Sequence, residues 1–120
     1  MNNELILKKC DKCGAIVRVM NAAMDAGCDD AKIIKPNSVD ASFEKHLPVY
    51  ELVEDEVFVK VPHVMEKDHY IEWIAMVTDN REEFAKLFPE QNAEVRFKYV
   101  PGAKLYAYCN KHGLWMSEVK

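Results

Sequence analysis

No stretch of this chain stays apolar long enough to cross a bilayer, because acidic residues interrupt its hydrophobic segments throughout. The opening MNNELILKKC also lacks the apolar core and cleavage site of an export signal, so the cytoplasm is the expected location. A concentrated basic stripe is missing too. Lys and Arg number 16 against 20 Asp and Glu, a formal net charge of -4, which argues against nucleic acid as a main partner. No internal repeat or low-complexity tract interrupts the chain. Cysteine is scarce but even in number, at 4. Without an export signal, metal ligation or free thiols are a better reading of these cysteines than disulfides. The 120 residues leave room for one domain, or one domain with a small appendage.

What is present falls into two parts. KKCDKCGAIVRVM is a Cys-x-x-Cys-Gly knuckle running into a short alternating stretch, and NAAMDAGCDDAK after it is small, acidic and weakly structured. KPNSVDAS has the composition of a linker and puts a boundary near residues 36–40, dividing an N-terminal segment (1–37) from a main domain (38–120). Beyond it the pattern has mostly period two. VYELV, EVFVKV, YIEWIAMV, EVRFKYV and KLYAYC are β-branched and aromatic runs separated by turn-forming or charged residues. Such spacing predicts an all-β fold, an antiparallel β-sandwich of immunoglobulin-like kind. REEFAKLF alone invites a helix, or a loop with one helical turn.

The four histidines, His46, His63, His69 and His112, all fall at predicted strand ends or in connections, which a sandwich can gather at one end. Singly, each would be an ordinary surface or hydrogen-bonded histidine. Around Cys109 they look like a metal site. Neutral imidazoles with one thiolate suit iron, copper or zinc rather than magnesium or calcium. Five candidate donors exceed the four of a closed zinc site and fit a square-pyramidal iron with one position open. Copper competes, because Cys109, His112 and Met116 with one upstream histidine have the loop order of a blue-copper electron carrier without turnover of its own. That reading leaves two histidines unexplained, and Met116 is more simply a core residue. Core packing also accounts for Tyr70, Trp73, Tyr108 and Trp115.

EKHLPVYE, VPHVMEKDHYIEWI and YCNKHGLW resemble, in order and spacing, the iron centre of the superoxide reductases, the desulfoferrodoxin and neelaredoxin proteins, over residues 43–116. The resemblance implies that His46, His63, His69 and His112 supply imidazoles to one iron per chain, cycling between Fe2+ and Fe3+, and that Cys109 supplies an axial thiolate. It implies functional roles for Glu44 and Lys45: the lysine to attract superoxide, the glutamate to close the open position after oxidation. The implied activity is one-electron reduction of superoxide to hydrogen peroxide without oxygen production, a detoxification suited to an anaerobe. Rubredoxin or a similar small protein would supply the electron, and the assembly would be a homodimer or homotetramer. One departure stands in the second motif, where Val64 replaces the usual proline. The first 37 residues resemble the desulforedoxin-like domain of two-iron members through Cys10 and Cys13. Those members complete a four-cysteine site with two adjacent cysteines, whereas here Cys28 is followed by Asp29 and Asp30. Three thiolates favour a vestigial first centre over one completed by an aspartate.

Overall fold

The computed structural model of the chain describes residues 3–20, 31–40 and 45–120. These residues hold ten strands and, among the described residues, no α-helix. Two compact units divide the chain: Glu4–Lys35, and Pro36–Lys120 together with Met1–Asn3.

The smaller unit is an antiparallel sheet of β1 (Leu7–Cys10), β2 (Ile16–Arg18) and β3 (Ala31–Ile34), in the order β2-β1-β3. Cys10 ends β1 and is buried, while Cys13 is exposed in the turn that follows. The turn closes because Gly14 takes a left-handed φ of 75°, from which its N–H donates to the Cys10 carbonyl at 2.8 Å. Cys28, Asp29 and Asp30 lie outside the described residues, with most of the segment expected to be weakly structured. Its last residues, Ala31 and Lys32, are an exception, since they pair with Cys10 and Lys9 as the start of β3.

The larger unit has two sheets. One is β4 (Val49–Val53), β5 (Glu56–Lys60) and β8 (Glu94–Lys98), in the order β4-β5-β8. The other is β6 (Ile71–Val77), β7 (Glu82–Lys86), β9 (Lys104–Cys109) and β10 (Gly113–Glu118), in the order β10-β9-β6-β7. All pairings within them are antiparallel. Val57 and Val59 of β5 and Phe97 of β8 share one buried cluster with Ile74, Met76, Leu105 and Ala107 of the other sheet. Two sheets facing one apolar layer make the predicted sandwich. Each of these side chains except that of Ala107 contributes about 1.5–3 kcal/mol by leaving water.

REEFAKLF is neither helix nor loop. Residues Glu82 to Lys86 form β7, in register from Val77↔Glu82 to Trp73↔Lys86. An eight-residue helix is too short to sustain itself, whereas the open edge of β6 offers a row of backbone groups that must be paired. The charged side chains that obscured the strand protect the edge it forms. The linker-like stretch is also docked. Asn37 forms a parallel bridge with Trp115, its N–H donating to the Leu114 carbonyl and its carbonyl accepting from Met116, both at 2.9 Å.

One non-glycine residue in the β4–β5 turn, Glu54, sits at φ 58°. A β-carbon there costs about 1–2 kcal/mol relative to a right-handed conformation. Glu54→Gly is therefore expected to stabilise the protein by about 1 kcal/mol despite the added freedom of the unfolded chain. A urea denaturation midpoint at or below that of the parent would contradict this account of the turn.

Candidate metal centre

The register of the strands explains why the dispersed histidines meet. Val49, which opens β4, pairs with Lys60, which ends β5, so His46 just before the first and His63 just after the second emerge side by side. Ile71, which opens β6, pairs with Cys109, which ends β9, and this brings in His69. His112 follows in the β9–β10 hairpin. There Asn110, Lys111 and His112 connect Cys109 to its partner Gly113, whose φ of 86° is the left-handed conformation that ends this type of loop. The Cys-x-x-His spacing is thus the spacing of a tight hairpin.

The imidazoles form a closed four-membered cycle. Ring centroids are 4.8 Å apart for His46 and His63, 4.8 Å for His63 and His69, 5.1 Å for His69 and His112, and 5.1 Å for His112 and His46. Cys109 Sγ lies 3.6 Å from Nε2 of His63 and 3.8 Å from Nδ1 of His112, which occupy opposite corners. One donor atom from each of His46, His63, Cys109 and His112 lies within 4.8 Å of all the others. The sulfur is therefore nearly equidistant from two opposite corners and must stand off the line between them. The donor atom of His69 is not part of that mutual group; its ring completes the cycle.

These residues fit a single transition-metal ion. Donors about 2.0–2.3 Å from a shared ion stand roughly 3 to 4.5 Å from one another. The 3.3 Å between His46 Nε2 and His112 Nδ1 and the two sulfur distances fall in that interval. Imidazole with thiolate selects iron, copper or zinc by donor softness. Met116 does not join them. Its neighbour Trp115 faces His46, ring on ring at 4.3 Å, and strand alternation sends Met116 to the opposite face.

Several groups orient the donors. His63 Nδ1–H donates to the Val64 carbonyl at 2.6 Å, which leaves Nε2 with the lone pair that faces the sulfur. Any residue at position 64 supplies that carbonyl, proline included, so the departure at Val64 does not remove the contact. His69 is presented by a tight turn in which Glu66 and His69 exchange backbone hydrogen bonds of 3.0 and 3.3 Å. Sequence reasoning missed Asn110. Its Oδ1 accepts from the Tyr70 N–H at 3.1 Å, its Nδ2 donates to the Asp68 carbonyl at 3.0 Å, and its own N–H donates to the Tyr70 carbonyl at 3.2 Å. Asn110 thus ties the Cys109–His112 hairpin to the segment bearing His69. The available signal was a side chain with both donor and acceptor, placed between two candidate ligands.

Lys45 is exposed beside the fully buried His46. Glu44 and Cys28 lie outside the described residues. Cys10 and Cys13 belong to the other unit.

The desulfoferrodoxin family model matches residues 38–118. A desulfoferrodoxin from Syntrophotalea carbinolica is 38% identical, the match covering 98% of this chain and 99% of that protein. One from Desulfarculus baarsii is 40% identical over 98% of this chain and 99% of its own length. The crystal structure of the superoxide reductase from Treponema pallidum is similar at a TM-score of 0.77, with 27% identity over 97% of this chain and 99% of that one. The chain belongs to the desulfoferrodoxin family.

Cobalt(II) tests the donor set directly, because a cobalt–thiolate bond gives an intense near-ultraviolet charge-transfer band. With Cys10, Cys13 and Cys28 changed to Ser to silence the other thiols, one equivalent of Co2+ should raise that band, and adding Cys109→Ser should abolish it. A band that survives the loss of Cys109 would mean that the sulfur is not a ligand.

Proposed function

We propose, from this family membership, that the chain is a superoxide reductase that converts superoxide to hydrogen peroxide at a mononuclear non-haem iron, one per chain, without producing oxygen. The observation that carries the proposal is the cycle of four imidazoles with a cysteine sulfur to one side. His46, His63, His69, His112 and Cys109 would hold the metal. Iron, when bound there, would supply one electron per superoxide by cycling between Fe2+ and Fe3+. Five protein donors leave one position for a small anion, and a thiolate among them raises electron density at the metal.

The remaining work falls to the chain. Reduction of superoxide consumes one electron and two protons, and solvent supplies the protons. Lys45 extends a cation into water next to His46, where it raises the local concentration of an anionic substrate. Asn110 and the Val64 carbonyl keep the donors in place while charge at the centre changes, so little reorganisation accompanies electron transfer. Glu44, which precedes Lys45, would supply a carboxylate able to bind iron in its oxidised form.

The same proposal includes a main domain over residues 38–120 and a desulforedoxin-like segment over 1–37 whose Cys10, Cys13 and Cys28 form a vestigial site. It includes a rubredoxin-like donor, a homodimer or homotetramer, and a cytoplasmic location. Among the described residues no helix is long and apolar enough to cross a membrane.

Iron content and a superoxide pulse decide between this enzyme and a passive metal carrier. The anaerobically reduced protein should contain about one iron per chain and yield peroxide with no oxygen. Lys45→Ala should slow superoxide capture about 10-fold at low ionic strength and flatten its salt dependence. Glu44→Ala should alter the oxidised spectrum and leave the first encounter nearly unchanged. Zinc or copper in the site with no consumption of superoxide would overturn the assignment.

A further inference from the structure

Asp40 places a single carboxylate oxygen against two backbone donors, the N–H of His46 at 2.7 Å and the N–H of Leu47 at 2.9 Å. We propose that Asp40 is a positioning residue for the imidazole of His46, an inference that rests on the metal-centre reading above and extends it beyond the ligands. Neither donor belongs to a strand. β4 begins only at Val49, and the buried Pro48 intervenes. His46 is fully buried, and a backbone N–H withdrawn from water needs an acceptor. One carboxylate oxygen meets both N–H groups, and its charge makes each bond stronger than a neutral acceptor would.

The consequence reaches the ring. Holding the His46 and Leu47 N–H groups sets the direction in which the His46 side chain leaves the backbone. Stacking on Trp115, with ring planes 8° apart, sets the plane of the imidazole. The two restraints act on different parts of one residue and together aim Nε2 at Nδ1 of His112, 3.3 Å away. Asp40 is itself anchored, because Asn37 is bridged to Trp115, and the chain beyond His46 is anchored where Ser117 Oγ–H donates to the Pro48 carbonyl at 2.6 Å. Both anchors lie on β10, the strand that begins directly after His112. Asp40 therefore ties its own position to those of His46 and Leu47, next to Lys45.

The test uses the full-length protein with Cys10, Cys13 and Cys28 changed to Ser and Co2+ as the probe, read as affinity against a competing chelator and as the position of the cobalt ligand-field bands. Asp40→Ala should weaken Co2+ binding by about 10- to 100-fold, the usual effect of losing a group that orients a ligand, and shift the bands. Asp40→Asn keeps an acceptor oxygen without the charge and should fall between Asp40→Ala and the parent. Ser117→Ala loosens the same stretch without touching the His46 N–H and should lower the melting temperature while leaving affinity and bands as in the parent. Parent-like affinity and bands in Asp40→Ala would overturn the proposal, as would equal losses in Asp40→Ala and Ser117→Ala. If Asp40→Ala does not fold, parent-like cobalt binding in Asp40→Asn overturns it. Absence of a Cys109-dependent cobalt band in the parent would instead defeat the metal centre itself, an outcome read before any Asp40 variant is compared.

Discussion

Everything at the functional end of the sandwich depends on gathering imidazole and sulfur donors within coordination distance. Nitrogen lone pairs turned toward a common point repel one another and lose part of their hydration, an arrangement that is unfavourable unless a cation or protons lie between them. A shared metal ion converts that repulsion into attraction. The candidate donors also come from separate stretches of the sequence, at 46, at 63 and 69, and at 109 and 112. One ion would link the approach to β4, the exit from β5, the approach to β6 and the β9–β10 hairpin, and so join both sheets. Closing loops of that length removes much conformational freedom from the unfolded chain, so metal binding and the packing of this end are one thermodynamic event.

A centre of this kind needs an asymmetric surround. On one side it is rigid: Cys109 is completely buried, its neighbour Tyr108 is buried against Trp73, and the strand register changes between Ile71 and Trp73. Such a bulge beside a ligand re-aims the chain without breaking the sheet. His63 and His112 are only partly buried, and Lys45 reaches solvent. Burial of Cys109 and His46 and partial exposure of His63, His69 and His112 give the candidate site a closed side and a side that meets water. Superoxide, the substrate proposed above, would need no deep pocket, only an accessible position at the metal and a nearby positive charge.

The sequence disclosed these features unevenly, for physical reasons. VYELV, EVFVKV, YIEWIAMV, EVRFKYV and KLYAYC correspond to β4, β5, β6, β8 and β9, because runs of β-branched and aromatic residues identify them whether the strand is central, as β5, β6 and β9 are, or an edge, as β4 and β8 are. β7 was hidden because EEFAK holds no β-branched residue and three of its five are charged; Glu82, Glu83, Phe84 and Lys86 read as a helix surface until β6 supplies their partner. Within β6 the bulge places Ile71 and Ile74 three apart, both fully buried, which breaks period two where the metal-binding end begins. The candidate ligands were legible because few residue types bind soft metals. Asn110 and Asp40 were not, since their roles are made of hydrogen bonds to backbone that is distant in sequence, and no local pattern of side chains records such bonds.

The division of the chain also bears on the unpaired count of N-terminal thiols. Every residue placed at the centre, whether donor or support, falls within Pro36–Lys120, and the family match begins at residue 38. None of the hydrogen bonds that orient the imidazoles comes from Glu4–Lys35. The smaller unit in turn has a sheet of its own, with β1 paired on both sides, so its fold has a source of stability besides four thiolates around a metal.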